Sequence, residues 1–118
     1  MTHQPSPNGI TARRLVEARR EIGCFLDPSL FSDPVYDILL SLLAAEDDGI
    51  SVEMSDGVRF ANVPATTALR CIKVLKMRGL ITRSYDSTND CRCSLMLTAE
   101  CRTALRAYIE QVSLTLGN

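Results

Sequence analysis

The chain has 118 residues and a formal net charge of −1, and 46% of its residues are apolar. That length favours a single domain, and the charge balance argues against a protein that binds nucleic acid or membranes through its overall charge. No apolar run is long enough to cross a bilayer, and residues 1–9 are polar, with two prolines and no hydrophobic signal core. The five cysteines are an odd number outside a small secreted scaffold, which indicates reduced thiols. We therefore expect a disordered N-terminal lead-in over residues 1–9 and a cytoplasmic protein.

The first predicted helix covers residues 10–22. Thr11 is suited to be its N-cap, and apolar residues recur at helical spacing behind it. The remaining face is rich in arginine, at positions 13, 14, 19 and 20. We expect these cations to be solvated and paired with Glu17 and Glu21 of the same helix.

The second predicted helix begins with Asp33 as N-cap and Pro34 as first helical residue. A broad apolar stripe makes it the expected core helix: Val35, Tyr36, Ile38, Leu39, Leu40, Leu42 and Leu43. The acidic residues 46–48 at its end oppose the helix dipole, so we expect that end to be solvated and frayed.

Two further helices around a tight turn predict a helix-turn-helix. The first is short and runs from about residue 54 to residue 61, after an apolar link at 50–52 that is either irregular or a short piece of strand. Asn62 tolerates the left-handed backbone of a tight turn. The second helix starts at Pro64, whose φ suits the first helical position, and ends before Gly79.

The second helix of this pair has two faces at helical spacing. The inward face consists of Ala68, Ile72 and Leu75, and the outward face of Thr66, Arg70, Lys73 and Met77. Hydroxyls near a helix start, followed by two cations, suit a helix that enters the major groove of DNA. This pattern alone leaves a merely solvated helix face as the alternative.

Charge is distributed unevenly along the chain. Residues 57–85 contain six cations and no acid, whereas residues 32–56 contain seven acids and no base. The six cations are Arg59, Arg70, Lys73, Lys76, Arg78 and Arg83. A basic block in an otherwise acidic protein indicates a surface that binds nucleic acid, provided that these residues are also close in space.

Residues 81–85 and 91–97 are predicted strands, and the turn-forming residues 86–90 complete a β-hairpin. In the second strand, inward positions alternate with outward ones: Cys91, Cys93, Leu95 and Leu97 against Arg92, Ser94 and Met96. Thr98 is suited to cap a last helix whose apolar side carries Leu105, Tyr108, Ile109, Val112 and Leu116.

These elements predict a mostly helical α+β winged helix-turn-helix with a two-stranded wing. One domain covers 10–116, with the helix-turn-helix at about 53–79, the wing at about 81–97 and the C-terminal helix at about 98–116.

The chain resembles the MarR family of bacterial transcription regulators over roughly residues 32–112. The resemblance rests on three segments: Lys76-Met77-Arg78-Gly79-Leu80-Ile81, Asp90-Cys91-Arg92 and Leu97-Thr98-Ala99-Glu100. In that family a wing arginine reaches the minor groove or its phosphates. The resemblance therefore implies that role for Arg92, with the wing turn held by Asp90.

The predicted function is sequence-specific binding of double-stranded DNA by a homodimer that joins through its N- and C-terminal helices. The predicted DNA contacts are Ala65, Thr66, Thr67, Arg70, Lys73 and Arg92. Repression by promoter occlusion is implied by the resemblance alone. No cofactor and no membrane is expected. The flanking helices are short for the family, which argues against a large effector pocket but leaves a small-molecule effector open.

The cysteines raise a second hypothesis. Cys91-x-Cys93, with Cys101 downstream, would supply thiolate ligands for a soft metal. However, strand positions beside Leu95 and Leu97 suit buried thiols, and the single histidine is His3 in the lead-in. We predict no metal site and retain Cys91, nearest the wing tip, as the candidate redox thiol.

An enzyme is not indicated, because no catalytic set can be assembled without a structured histidine and no phosphate-binding glycine loop is present. The alternative to a DNA-binding regulator is a winged-helix module that binds protein. The two differ in salt dependence, since binding to DNA through several cations weakens steeply as salt rises.

Overall fold

The computed structural model describes the backbone of residues 10–86 and 89–116, and the side chains of residues 10–84 and 93–116. Over these residues the order of elements is α1 (Ala12–Glu21), α2 (Pro34–Asp47), β1 (Val52–Glu53), α3 (Met54–Phe60), α4 (Ala65–Met77), β2 (Ile81–Asp86), β3 (Asn89–Leu97) and α5 (Ala99–Leu116). Two 3-10 turns, at 22–24 and 28–31, connect α1 to α2. The winged helix-turn-helix prediction is confirmed. The predicted lead-in lies outside the described residues.

The helices begin where side chains satisfy their first backbone N–H groups. Thr11 accepts a hydrogen bond from the backbone N of Arg14 at 3.1 Å, and Asp33 accepts one from Tyr36 at 3.2 Å. Pro34 is the first residue of α2, as predicted. Pro64 is instead the residue before α4: its carbonyl accepts from the N–H of Ala68 at 3.0 Å, so the helix begins one residue later than expected.

The core is built around α2, which buries Ile38, Leu40, Ser41, Leu42, Leu43 and Ala45. Helix α4 packs against it through its predicted inward face, and strands β2 and β3 contribute Ile81, Leu95 and Leu97. Apart from Leu40 and Ser41, these residues belong to a single buried cluster that joins the helices to the sheet. The prediction that the second helix forms the centre of the core is therefore confirmed, except that Val35 in its first turn is 38% exposed.

The wing contains a third strand. The sheet order is β1-β3-β2, both pairs are antiparallel, and Val52 of β1 lies opposite Leu95 of β3. Val52, the last residue of the apolar link, forms this strand together with Glu53. Val52 and Leu95 are both buried, with 4% and 3% of their surfaces exposed. The two-stranded wing of the prediction is thereby tied to the start of the helix-turn-helix.

The acidic end of α2 is held by ion pairs to other helices and is not merely solvated. Glu46 accepts hydrogen bonds from Arg102 of α5 at 2.7 and 2.9 Å, and Asp47 accepts one from Arg106 at 2.8 Å. Asp48 pairs with Arg13 of α1. The expectation of a frayed end was wrong because these arginines come from elements that are distant in the sequence.

The partners of α1 also differ from the prediction. Arg19 donates to Asp37 of α2 at 2.6 Å and to the carbonyl of Phe31 at 2.7 Å. The hydrogen bond and charge of Asp37 raise the pKa of Arg19 above its ordinary value. Arg13 and Arg19 thus bind α1 to α2 and do not pair with the glutamates of their own helix.

Helix α5 is sparsely covered by the rest of the fold. Among its 18 residues, only Cys101 is buried. Leu105 and Ile109 pack on the core, but Tyr108 remains 40% exposed, Leu114 65% and Leu116 69%. The Tyr108 hydroxyl lies 2.8 Å from that of Tyr36, which places the middle of α5 beside the start of α2.

Candidate nucleic-acid interface

Helix α4 is anchored on one side and open on the other. Its inward residues Ala68, Ile72 and Leu75 are 0 to 2% exposed, and each lies in the core cluster. The turn before it contains Asn62 at a φ of 54°, and Gly79 after it has a φ of 72°. Both positions were predicted from their tolerance of left-handed backbone. The helix therefore has a fixed orientation relative to the core.

The predicted contact residues on α4 all lie on its open side. Those exposed are Ala65, Thr66, Thr67, Arg70 and Lys73. The predicted face continues to Met77, and Leu69 beside it is 47% exposed. The structure thus brings together five of the six predicted contacts on one surface.

The basic block divides into cations that have a partner and cations that have none among the described residues. Arg59 pairs with Asp56 within α3, and Arg83 of β2 lies against the Cys93 sulfur at 3.4 and 3.3 Å. Within the described part of the chain, the four cations at positions 70, 73, 76 and 78 make no ion pair or side-chain hydrogen bond, and all are exposed. A surface without carboxylate partners leaves their charge available to phosphates.

Helix α3, the first of the helix-turn-helix, is held by a capping box. Glu53 accepts from the backbone of residue 56, and the Glu53 N–H donates to Asp56 Oδ2 at 3.0 Å. This hydrogen bond, together with that from Arg59, lowers the pKa of Asp56 below its ordinary value. The box thereby fixes the short helix against which α4 packs.

The wing is described only in part at the level of side chains. Leu95 and Leu97 are buried and Met96 is 42% exposed, as the predicted alternation requires. The backbone at the predicted wing residues Asp90, Cys91 and Arg92 belongs to β3. Their side chains lie outside the described residues, so the predicted roles of the wing arginine, the wing turn and the redox thiol remain predictions.

The described cysteines are dispersed. Cys24 is exposed, Cys71 and Cys93 are half-buried, and Cys101 is buried, where desolvation raises the pKa of its thiol. Among side chains that the structure describes, no group of three His, Cys, Asp or Glu residues is arranged to hold a metal ion. The side chain of Cys91 lies outside the described residues, so it is not part of this statement.

A cavity of about 470 Å³ lies between α1, α2 and the turn of the helix-turn-helix. It is lined by Arg19 and Arg20 of α1, Asp37 and Ser41 of α2, and by Arg59, Phe60 and Asn62. The sequence carried no signal for it, because its walls come from four separate segments. Its position links the N-terminal half of the fold to the turn that precedes α4.

No protein-family profile and no curated protein matches this chain. Solved structures do match. AF1382 from Archaeoglobus fulgidus has 11% identity and a TM-score of 0.58, covering 83% of this chain and 99% of that protein. A MepR mutant from S. aureus has 17% identity and a TM-score of 0.55, with coverages of 86% and 83%.

The transcriptional regulator PcaV from Streptomyces coelicolor has 23% identity and a TM-score of 0.52, over 88% of this chain and 70% of that protein. The chain has the fold of MarR-family regulators. In this winged helix-turn-helix, α3 and α4 form the helix pair and the β1-β3-β2 sheet forms the wing. No helix of the described residues is sufficiently long and apolar to cross a membrane.

Proposed function

We propose that this winged helix-turn-helix protein binds double-stranded DNA and regulates transcription. The observation that carries the proposal is the exposed face of α4, on which Arg70 and Lys73 have no partner among the described residues. Thr66 and Thr67 lie at the start of the same face, where hydroxyls and helix N–H groups reach phosphates and base edges. Ala65, as the first helical residue, contributes its backbone N–H.

The wing supplies the second contact of this proposal. Strand β3 is anchored by buried Leu95 and Leu97, so its distal half extends from a rigid base. By resemblance to MarR regulators, Arg92 contacts the minor groove or its phosphates, and Asp90 holds the wing turn. Repression then follows from occlusion of a promoter.

A homodimer formed through the terminal helices is part of the proposal. Exposed apolar side chains support it at the end of α5, where Leu114 and Leu116 are 65% and 69% exposed, and after α1, where Phe25 and Leu30 are 80% and 71% exposed. Two copies would also present two α4 helices to two half-sites. Sedimentation equilibrium tests this: Leu114→Asp with Leu116→Asp should give a monomer if α5 forms the interface.

We also propose a small-molecule effector for the cavity between α1, α2 and the helix-turn-helix. MepR has been solved bound to ethidium bromide, and PcaV with its natural ligand. Here Arg20 faces the cavity with no partner among the described side chains, which favours an organic anion. A thermal-shift screen of organic acids, with Arg20→Ala as comparison, tests the proposal.

The central test is fluorescence anisotropy of mixed duplex DNA, titrated with the protein at low and moderate salt. DNA binding through α4 predicts affinity that falls steeply with salt and falls further in Arg70→Ala. Arg14→Ala is the matched control, since Arg14 is an exposed arginine of α1 outside the α4 face. Folded protein that does not bind at low salt would overturn the proposal and favour a protein-binding module.

A further inference from the structure

The exposed face of α4 offers a restricted set of chemical groups. Its nine exposed residues are Ala65, Thr66, Thr67, Leu69, Arg70, Lys73, Val74, Lys76 and Met77. They provide methyl groups, hydroxyls and cations. The helix from Ala65 to Met77 contains no Asn, Gln, Asp or Glu.

Threonine hydroxyls can bond to any base edge, but for paired hydrogen bonds and methyl contacts these groups match only some bases in the major groove. Paired hydrogen bonds to adenine come from Asn or Gln, and acceptors for the cytosine amino group come from Asp or Glu. Neither type is present on α4. Arg and Lys suit the two acceptors of guanine, and apolar side chains suit the C5-methyl group of thymine.

Leu69 is the apolar side chain best placed for such a methyl contact. It is 47% exposed, and it is not among the described side chains that pack on the core. It lies one turn from both Thr66 and Lys73, on the same side of the helix. As the fifth residue of α4 it belongs to the half of a recognition helix that meets base edges.

We propose that Leu69 determines specificity by packing against the C5-methyl group of a thymine, next to a guanine read by Arg70. The half-site of this protein therefore combines T·A and G·C pairs, with the thymine and guanine read directly. This inference rests on the proposed DNA-binding function and names the bases that its recognition helix selects.

The test has two steps. Selection from duplexes with a random 20-base-pair centre first yields a preferred site for the full-length protein. Each thymine of that site is then replaced by deoxyuridine, which keeps the base pair and removes only the methyl group. We expect the wild-type protein to bind about three- to fivefold more weakly when the contacted thymine is replaced.

Variants assign the effect to one side chain. Leu69→Ala should bind the thymine and deoxyuridine duplexes equally, and its circular dichroism should match the wild type because Leu69 is exposed. Met77→Ala is the control: this side chain is 77% exposed but lies about 12 Å further along the helix, so it should retain the wild-type response.

The outcomes separate this inference from the function on which it rests. Salt-dependent binding that no deoxyuridine substitution weakens would overturn the role of Leu69 and leave DNA binding intact. The role of Leu69 would also be overturned if replacing thymine by deoxyuridine weakened binding by Leu69→Ala as much as it weakens binding by the wild type. Folded protein that binds no duplex at low salt would overturn the DNA-binding proposal itself, and this inference with it, whereas binding without a preferred site would overturn this inference alone.

Discussion

Gly57 of α3 lies so close to Leu95 of β3 that a Cβ atom on residue 57 would stand 2.5 Å from Leu95 Cδ1. The same Cβ would be 3.5 Å from Ile72 Cδ1 of α4. The absence of a side chain at this position lets the first helix of the helix-turn-helix approach both the wing and α4. A residue that weakens helix propensity in isolation therefore determines how three functional elements pack.

Gly57→Ala should destabilise the protein by about 1–2 kcal/mol, although alanine favours helix formation. The added methyl group must displace Leu95, which is buried and has little room to move. Urea unfolding measures the loss. Gly57→Ala should cost less in a chain that already carries Leu95→Ala, and strictly additive losses for the two substitutions would contradict the contact.

Glu46→Gln should destabilise the protein by about 1–2 kcal/mol, because Glu46 accepts from two nitrogens of Arg102 and from the backbone of Leu97. Arg102 in turn donates to the Leu97 carbonyl at 3.0 Å, so one ion pair joins α2, the base of the wing and α5. Asp47→Asn is the control, since its pair with Arg106 makes a single hydrogen bond. Equal losses in the two variants, measured in urea, would refute a special role for Glu46.

The stability of the helix-turn-helix should depend on pH through Asp56. Its pKa is lowered in the folded state, first by the hydrogen bond from the Glu53 N–H and then by Arg59. The associated stability is present above the ordinary pKa of about 3.8 and is lost as the pH falls through the folded-state value. The unfolding free energies of wild type and Asp56→Asn should therefore converge as the pH falls through the folded-state pKa of Asp56. A constant difference from pH 6 to pH 3 would contradict this.

Thiol reactivity should follow burial. Cys24 is exposed, whereas burial raises the pKa of Cys101 and shields its sulfur. Iodoacetamide should modify Cys24 in the native protein and reach Cys101 only after unfolding. Peptide mass spectrometry of timed samples measures both rates, and labelling of Cys101 as fast as Cys24 in folded protein would be the opposite result.

Arg70→Ala should weaken DNA binding by about 1–3 kcal/mol if Arg70 reads a guanine. The loss should then be larger on the preferred site than on unrelated duplexes. Lys73→Ala is the comparison within the same face, and a phosphate contact there weakens binding to all sequences alike. An equal loss of affinity on every duplex for Arg70→Ala would reduce Arg70 to a phosphate contact.

Much of the local structure was predictable because it depends on short-range chemistry. Caps at Thr11 and Asp33, left-handed positions at Asn62 and Gly79, and the two faces of α4 all follow from residues within one or two turns of each other. The exposed contact residues of α4 followed from the same periodicity. Helix α4 starts one residue after the predicted position because Pro64 has an extended ψ of 147°, although its φ of −54° suits a helix.

Contacts between distant segments decided the rest. By itself the sequence determined the helices, the turn geometry and the basic outward face of α4, since these depend on local spacing and backbone preference. Only the tertiary structure decided that Arg102 neutralises Glu46, that β1 completes the wing, and that a cavity opens beside Arg20. It also showed that Arg59 and Arg83 have partners of their own, whereas the cations of α4 stay exposed. The physical reason is that side-chain pairing and burial depend on proximity in space, which hydrophobic packing creates between residues far apart in the chain.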